Sequence, residues 1–199
     1  MAKGNDYIIV IFVEGDTDYE FYNKLIQFYR ANSKSNIRKV KIYNLKGIGK
    51  FERKVVAKIK YDILPKYNSD RIIVFCCYDT DVFELGKKPP TNWKYVKKQL
   101  ANIEITDFNE IKAVRMIEDW FLIDLSGLCS FLKIKSQKSV QGKDGFDKIK
   151  KLFKKGNKIY QKGNNSHKFV QTLNISLIRT SLKNKFKKLE EKLKVRLLS

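Results

Sequence analysis

The run YIIVIFV at positions 7–13, followed at once by Glu-Gly-Asp, constrains this chain more than any other feature. It is too short to span a bilayer. An unbroken apolar run of that length bounded by glycine is the pattern of a strand buried on both faces. Residues 18–30 then place Phe21, Leu25 and Phe28 on one helical face. The same alternation recurs. KVKIYNL (39–45) reads as a second strand, and FERKVVAKIKYDIL (51–64) as a helix halted by Pro65. RIIVFCCY (71–78) is a third buried strand, and a helix follows Pro-Pro with Thr91 or Asn92 as its cap. IKAVRM (111–116) is a fourth strand, and EDWFLIDLSGLCSFL (118–132) a fourth helix.

This alternation predicts an α/β, Rossmann-like fold over residues 1–132: a mostly parallel four-stranded sheet with flanking helices. Ligands of such sheets bind at the C-terminal ends of the strands, near the switch in strand order. From Lys133 the pattern changes. Residues 133–199 read as a lysine-rich, mainly helical extension, with a short helix at 146–154 and a long one from about 171. The stripe Leu182, Phe186, Leu189, Leu193 and Leu197 on that long helix is expected to pack on the α/β domain; dimerisation through it is the other reading, and the oligomeric state stays open.

The chain carries 42 Lys and Arg against 21 Asp and Glu, and the excess is concentrated: 20 basic and 4 acidic side chains fall in 133–199. A concentration of that kind is the footprint of a polyanion partner, most often nucleic acid. Drift toward lysine is the competing account, since lysines outnumber arginines 35 to 7, but drift would raise Glu alongside Lys, and this half shows no such rise. The three cysteines form no C-x-x-C pair, so a zinc ribbon or disulfide framework is not expected. Without a membrane-length run or a signal-peptide pattern, the expectation is a soluble cytoplasmic protein with no membrane partner.

Carboxylates recur at the predicted strand ends: Glu14 after the first, Asp79 and Asp81 after the third, Glu118 after the fourth. Such a cluster is electrostatically costly unless a cation neutralises it, and carboxylate oxygens suit Mg²⁺ or Mn²⁺. The plain alternative for Asp79 and Asp81 is a polar turn. Glu14 belongs to an acidic run, Glu14-Gly-Asp16-Thr17-Asp18-Tyr-Glu20, in which Thr17 and Glu20 fit a capping box and Asp18 a first-turn acid. KGIGK (46–50) could bring backbone N–H groups at Gly47 and Gly49 to a phosphate, assisted by Lys46 or Lys50; a flexible turn is the equal alternative. His167, the single histidine, excludes multi-histidine metal chemistry.

VEGDTDYEFYNKL followed by VFCCYDTDV resembles the Toprim domain, with its Glu-Gly turn after strand one and Asp-x-Asp after strand three. With KGIGK and MIEDWFLID, the combination over about residues 7–132 is similar to the small OLD-type and RloB-like Toprim proteins associated with bacterial anti-phage defence. That resemblance implies a Mg²⁺- or Mn²⁺-dependent nuclease cutting DNA or RNA. Glu14, Asp79, Asp81 and Glu118 would be its metal and catalytic residues. OLD-type nucleases also use a lysine beyond the core, for which Lys168 in NNSHKF is the candidate. Two other readings stay open: an RNA-maturation Toprim nuclease, and a non-catalytic nucleic-acid-binding or regulatory subunit that would act beside a separate ATPase, as the chain has no P-loop.

Overall fold

In the computed structural model, residues 7–81, 90–163 and 166–197 are described. Strands β1 (Ile8–Val13), β2 (Lys39–Asn44), β3 (Ile72–Asp79) and β4 (Phe108–Ala113) form one all-parallel sheet in the order β2-β1-β3-β4. The fold is α/β and Rossmann-like, as the apolar runs predicted. The chain steps outward from β1 to β2 and then returns to β3 on the other side of β1. The switch in strand order therefore lies between β1 and β3.

Both faces of the sheet are covered, and every position of β1 and β3 is buried. Ile8, Val10, Phe12 and Cys76 pack beneath α2 (Phe51–Lys58) and α3 (Trp93–Ala101). Ile9, Ile11, Val13 and Cys77 pack on the opposite face against α1 (Asp16–Asn32). Adjacent Cys76 and Cys77 thus enter opposite cores, as alternation along a strand requires. That second core continues through α4 (Glu118–Phe121), α5 (Leu125–Leu132), α6 (Gly145–Lys155), α7 (Ser166–Val170), α8 (Ile175–Ser181) and α9 (Lys183–Leu193). Phe186, Leu189 and Leu193 of the C-terminal stripe are fully buried in it. Lys24 of α1 fastens the same region, donating to the carbonyls of Val170, Gln171 and Leu173 at 3.1, 2.6 and 2.5 Å.

Several boundaries differ from the sequence reading. The fourth strand runs 108–113 rather than 111–116, because pairing with β3 sets its register (Val74 opposite Phe108, Asp79 opposite Ala113). The helix expected over 118–132 is interrupted by a tight turn at Leu122–Asp124, where the Asp124 carboxylate accepts from Gly127 N–H and starts a new helix. The long C-terminal helix is likewise two, α8 and α9, the first capped by Asn174. Asn92 is the cap of α3, while Thr91 donates to the Ile48 carbonyl at 2.8 Å. Pro89, where that helix was expected to begin its approach, lies outside the described residues. Among the described residues, no helix is long and apolar enough to cross a membrane.

Candidate active site

Strand ends place the first two acids. Glu14 directly follows β1, and Asp79 is the last residue of β3, so both stand at the C-terminal edge beside the switch point. The turn after β4 is tied to β3 by backbone bonds from Thr80 and Asp81 to the Arg115 carbonyl, at 3.0 and 2.9 Å. Ile117 N–H then donates to Asp79 Oδ1 at 2.9 Å. This fold-back delivers Glu118, not from the strand end itself but from the first residue of α4, five residues beyond β4. Glu118 is wholly buried.

A fourth carboxylate joins them. Asp18 is 3 % exposed, one helical turn beyond Glu14, and it interacts electrostatically with Asp79, Glu14 and Glu118. The expected capping box does not form: Gly15 is the N-cap of α1 and no side chain caps it. Thr17 instead turns inward and accepts from Gly163 N–H at 3.0 Å. Asp18 is therefore part of the buried acid group, in addition to lying in the first turn of α1.

The remaining side of the site comes from the C-terminal half. Tyr160 O–H donates to Glu118 Oε1 at 2.9 Å, and Lys162 Nζ lies 2.6 Å from Asp79 Oδ2 and 3.8 Å from Glu118 Oε2. The Gly163 turn, at φ +84°, closes the segment against α1. Lys162, and not Lys168, is the lysine brought among the acids; Lys168 is exposed on α7. Nothing local in the sequence singles out Lys162 from the 18 lysines of 133–199. Asp18 did carry a signal, the four-residue spacing from Glu14 across a helix start, but its position also suited a dipole acid. The side chain of His167 lies outside what the structure describes.

One ammonium stands against four buried or half-buried carboxylates, and the electrostatics follow. Burial, followed by the charges of Glu118 and Glu14, pushes Asp79 up to about 7 despite its ion pair with Lys162. Burial raises Asp18 well above the usual range, with Asp79 adding to it, and burial also raises Glu14. Lys162 moves the other way: burial opposes its charge, but Asp79 and Glu118 outweigh that and hold it above the ordinary lysine value. Glu14 Oε2 and Glu118 Oε2 are buried without a hydrogen-bond partner. An all-carboxylate donor set with two bare oxygens is chemically suited to a hard divalent cation. Among the described residues, however, no three such side chains converge closely enough to hold an ion as they stand.

The glycine loop borders the same cavity. A pocket of about 310 Å³ is lined by Glu14, Asp16, Asp18, Lys46, Gly47 and Lys162, among others. Gly47, at φ +124°, donates its N–H to the Glu14 carbonyl at 2.8 Å, and Lys50 N–H donates to the Gly47 carbonyl at 3.1 Å. The first bond holds the loop against the end of β1, and the second closes the turn within the loop. The Lys46 side chain pairs with Asp16, while Gly49 and Lys50 are exposed. Asp81 is half-buried and near enough for its charge to raise Glu14. Comparison with protein-family models, with curated proteins and with solved structures gives no match.

Proposed function

We propose that this protein is a divalent-metal-dependent phosphodiesterase that cuts nucleic acid. The observation that carries the reading is the excess of buried carboxylate over ammonium at the switch point of a parallel sheet, opening on a pocket with Lys46 and Lys162 in its wall. The resemblance to OLD-type Toprim nucleases agrees with it, and the strongly basic composition supports a nucleic-acid substrate. Glu14, Asp18, Asp79 and Glu118 would hold Mg²⁺ or Mn²⁺ once they close on the ion and Lys162 gives way to it, since as they stand no three of them converge. Such an ion supplies charge stabilisation at the phosphoryl group and an acidified water.

The chain's own groups have defined work in this reading. Lys162 offers its ammonium to phosphoryl oxygens entering the pocket, and Lys46 offers a second. Asp79 is held in place from both sides, accepting from Ile117 N–H at Oδ1 and from Lys162 at Oδ2. Tyr160 keeps Glu118 oriented through the bond to Oε1, and Ile117 N–H does the same for Asp79.

A second reading is favoured by one observation. Lys162 already supplies a positive charge inside the acid group, as it would in a nucleic-acid-binding subunit whose acids are structural. The test separates the two. Purified protein is incubated with supercoiled plasmid, single-stranded DNA and tRNA in Mg²⁺, Mn²⁺ or EDTA, beside Glu14→Gln and Asp79→Asn. Metal-dependent cutting lost in both variants is the expected result. Cutting that persists in EDTA, or survives both substitutions, refutes the nuclease. Binding without cutting or metal uptake supports the subunit.

A further inference from the structure

The acid site has a lysine-lined surface attached to it. Helix α6 carries Lys150 and Lys154 four residues apart, and Lys158 continues the spacing just past its end. All three are exposed, and they line a pocket of about 290 Å³ together with Asp147, Lys151, Ile159 and Tyr160. Other lysines of this region are committed to local partners: Lys151 pairs with Asp147 at 2.8 Å, and Lys155 donates to Gln137 at 3.1 Å. Lys150 and Lys158 lie over the rings of Phe146 and Phe131, and neither they nor Lys154 pair with a carboxylate among the described residues. Ile159, 85 % exposed, adds an apolar surface that a base can cover. The one carboxylate in the lining, Asp147, is taken up by Lys151, so these three like charges repel one another, and a polyanion relieves that cost.

The position of this pocket gives it a role. Tyr160 forms part of its wall and also donates its hydroxyl to Glu118. From Lys158 to Lys162 the chain can reach at most about 14 Å, roughly four nucleotides of a strand rising about 3.4 Å each. We propose that the face formed by Lys150, Lys154 and Lys158 binds the phosphate backbone of a nucleic-acid strand a few nucleotides from the bond at the acid site. The proposal deepens the nucleic-acid reading above and rests on it for orientation, but binding here does not require cutting.

The test is fluorescence anisotropy with labelled oligothymidylates of graded length, in EDTA so that no cutting occurs. A Lys150→Ser/Lys154→Ser/Lys158→Ser variant is compared with Lys183→Ser/Lys185→Ser/Lys187→Ser, which removes the same charge from exposed positions on α9. Three lost single-strand contacts at about 0.7 each should flatten the log–log salt dependence by about 2, and weaken binding on the order of 100-fold at 0.1 M salt. The α9 variant should lose less than about fivefold, the share due to net charge alone. Equal losses in the two variants, or an unchanged salt slope in the first, overturn the proposal. If the α6 effect appears and no cutting is ever found, this surface stands and the nuclease reading falls.

Discussion

Replacing Lys162 by Met should destabilise the metal-free protein, and adding Asp79→Asn should recover most of the loss. Lys162 Nζ lies 2.6 Å from a carboxylate whose side chain is 2 % exposed, and 3.8 Å from one that is fully buried. Removing one partner of a fully buried pair costs about 3–5 kcal/mol. Two features reduce that figure. The Lys162 side chain is 40 % exposed, so water screens part of the interaction. Asp79 is also already raised to about 7 and can take up a proton instead of remaining an orphaned charge. The expected cost near neutral pH is about 2 kcal/mol, the range of a charge-assisted hydrogen bond, which lowers Tm by about 4–8 °C in a chain of this size. The amide of Asp79→Asn still accepts from Ile117 N–H but no longer needs a counterion. Urea unfolding in EDTA of the wild type, both single variants and the double variant gives the coupling energy directly. A coupling near zero, or an unmoved midpoint in Lys162→Met, would show that Lys162 is not the counterion of this site.

Three further outcomes are expected. Because folding raises Asp79 from the usual 3.8 to about 7, the folded state binds more protons between those values; its contribution is present below the lower value and lost as pH rises through the upper. In EDTA, Asp79 should therefore lower stability by about 1.5 kcal/mol from roughly pH 5.5 to 7, at up to 1.36 kcal/mol per unit, and Asp79→Asn should remove that share of the slope in urea titrations, leaving the part due to Asp18 and Glu14. Gly163→Ala places a Cβ at φ +84°, 3.4 Å from Asp16 Oδ2, and should cost about 1–2 kcal/mol by thermal melting; an unchanged Tm would contradict the described turn. Tyr160→Phe leaves Glu118 with neither oxygen hydrogen-bonded and should cost about 1–3 kcal/mol, a loss that should shrink sharply when Glu118→Gln is present as well.

The legible part of this protein was the part written in local pattern. Continuous apolar runs marked β1 and β3 as strands buried on both faces, since a strand facing solvent would alternate. With β1 and β3 located, Glu14 and Asp79 followed, because a residue at the end of a central parallel strand has only one edge to stand on. Asp18 was open to two local readings, as a carboxylate at a helix start satisfies the dipole whether it faces water or the interior. Its burial was decided by which way α1 lies on the sheet.

The sequence by itself determined the α/β class and the parallel sheet, and it pointed to Glu14, Asp79 and Glu118 of the candidate site, through the periodicities of single elements. Tertiary structure alone decided the rest. Glu118 comes in by the fold-back of the chain after β4 and not at the strand end where it was expected, and Tyr160 and Lys162 arrive because the C-terminal helices share a core with α1. Local pattern reports which face of an element avoids water. It carries no information on which distant turn meets that element's end, and so no spacing rule separates Lys162 from its neighbours; the packing of Phe169, Phe186 and Leu189 into the core they share with α1 does.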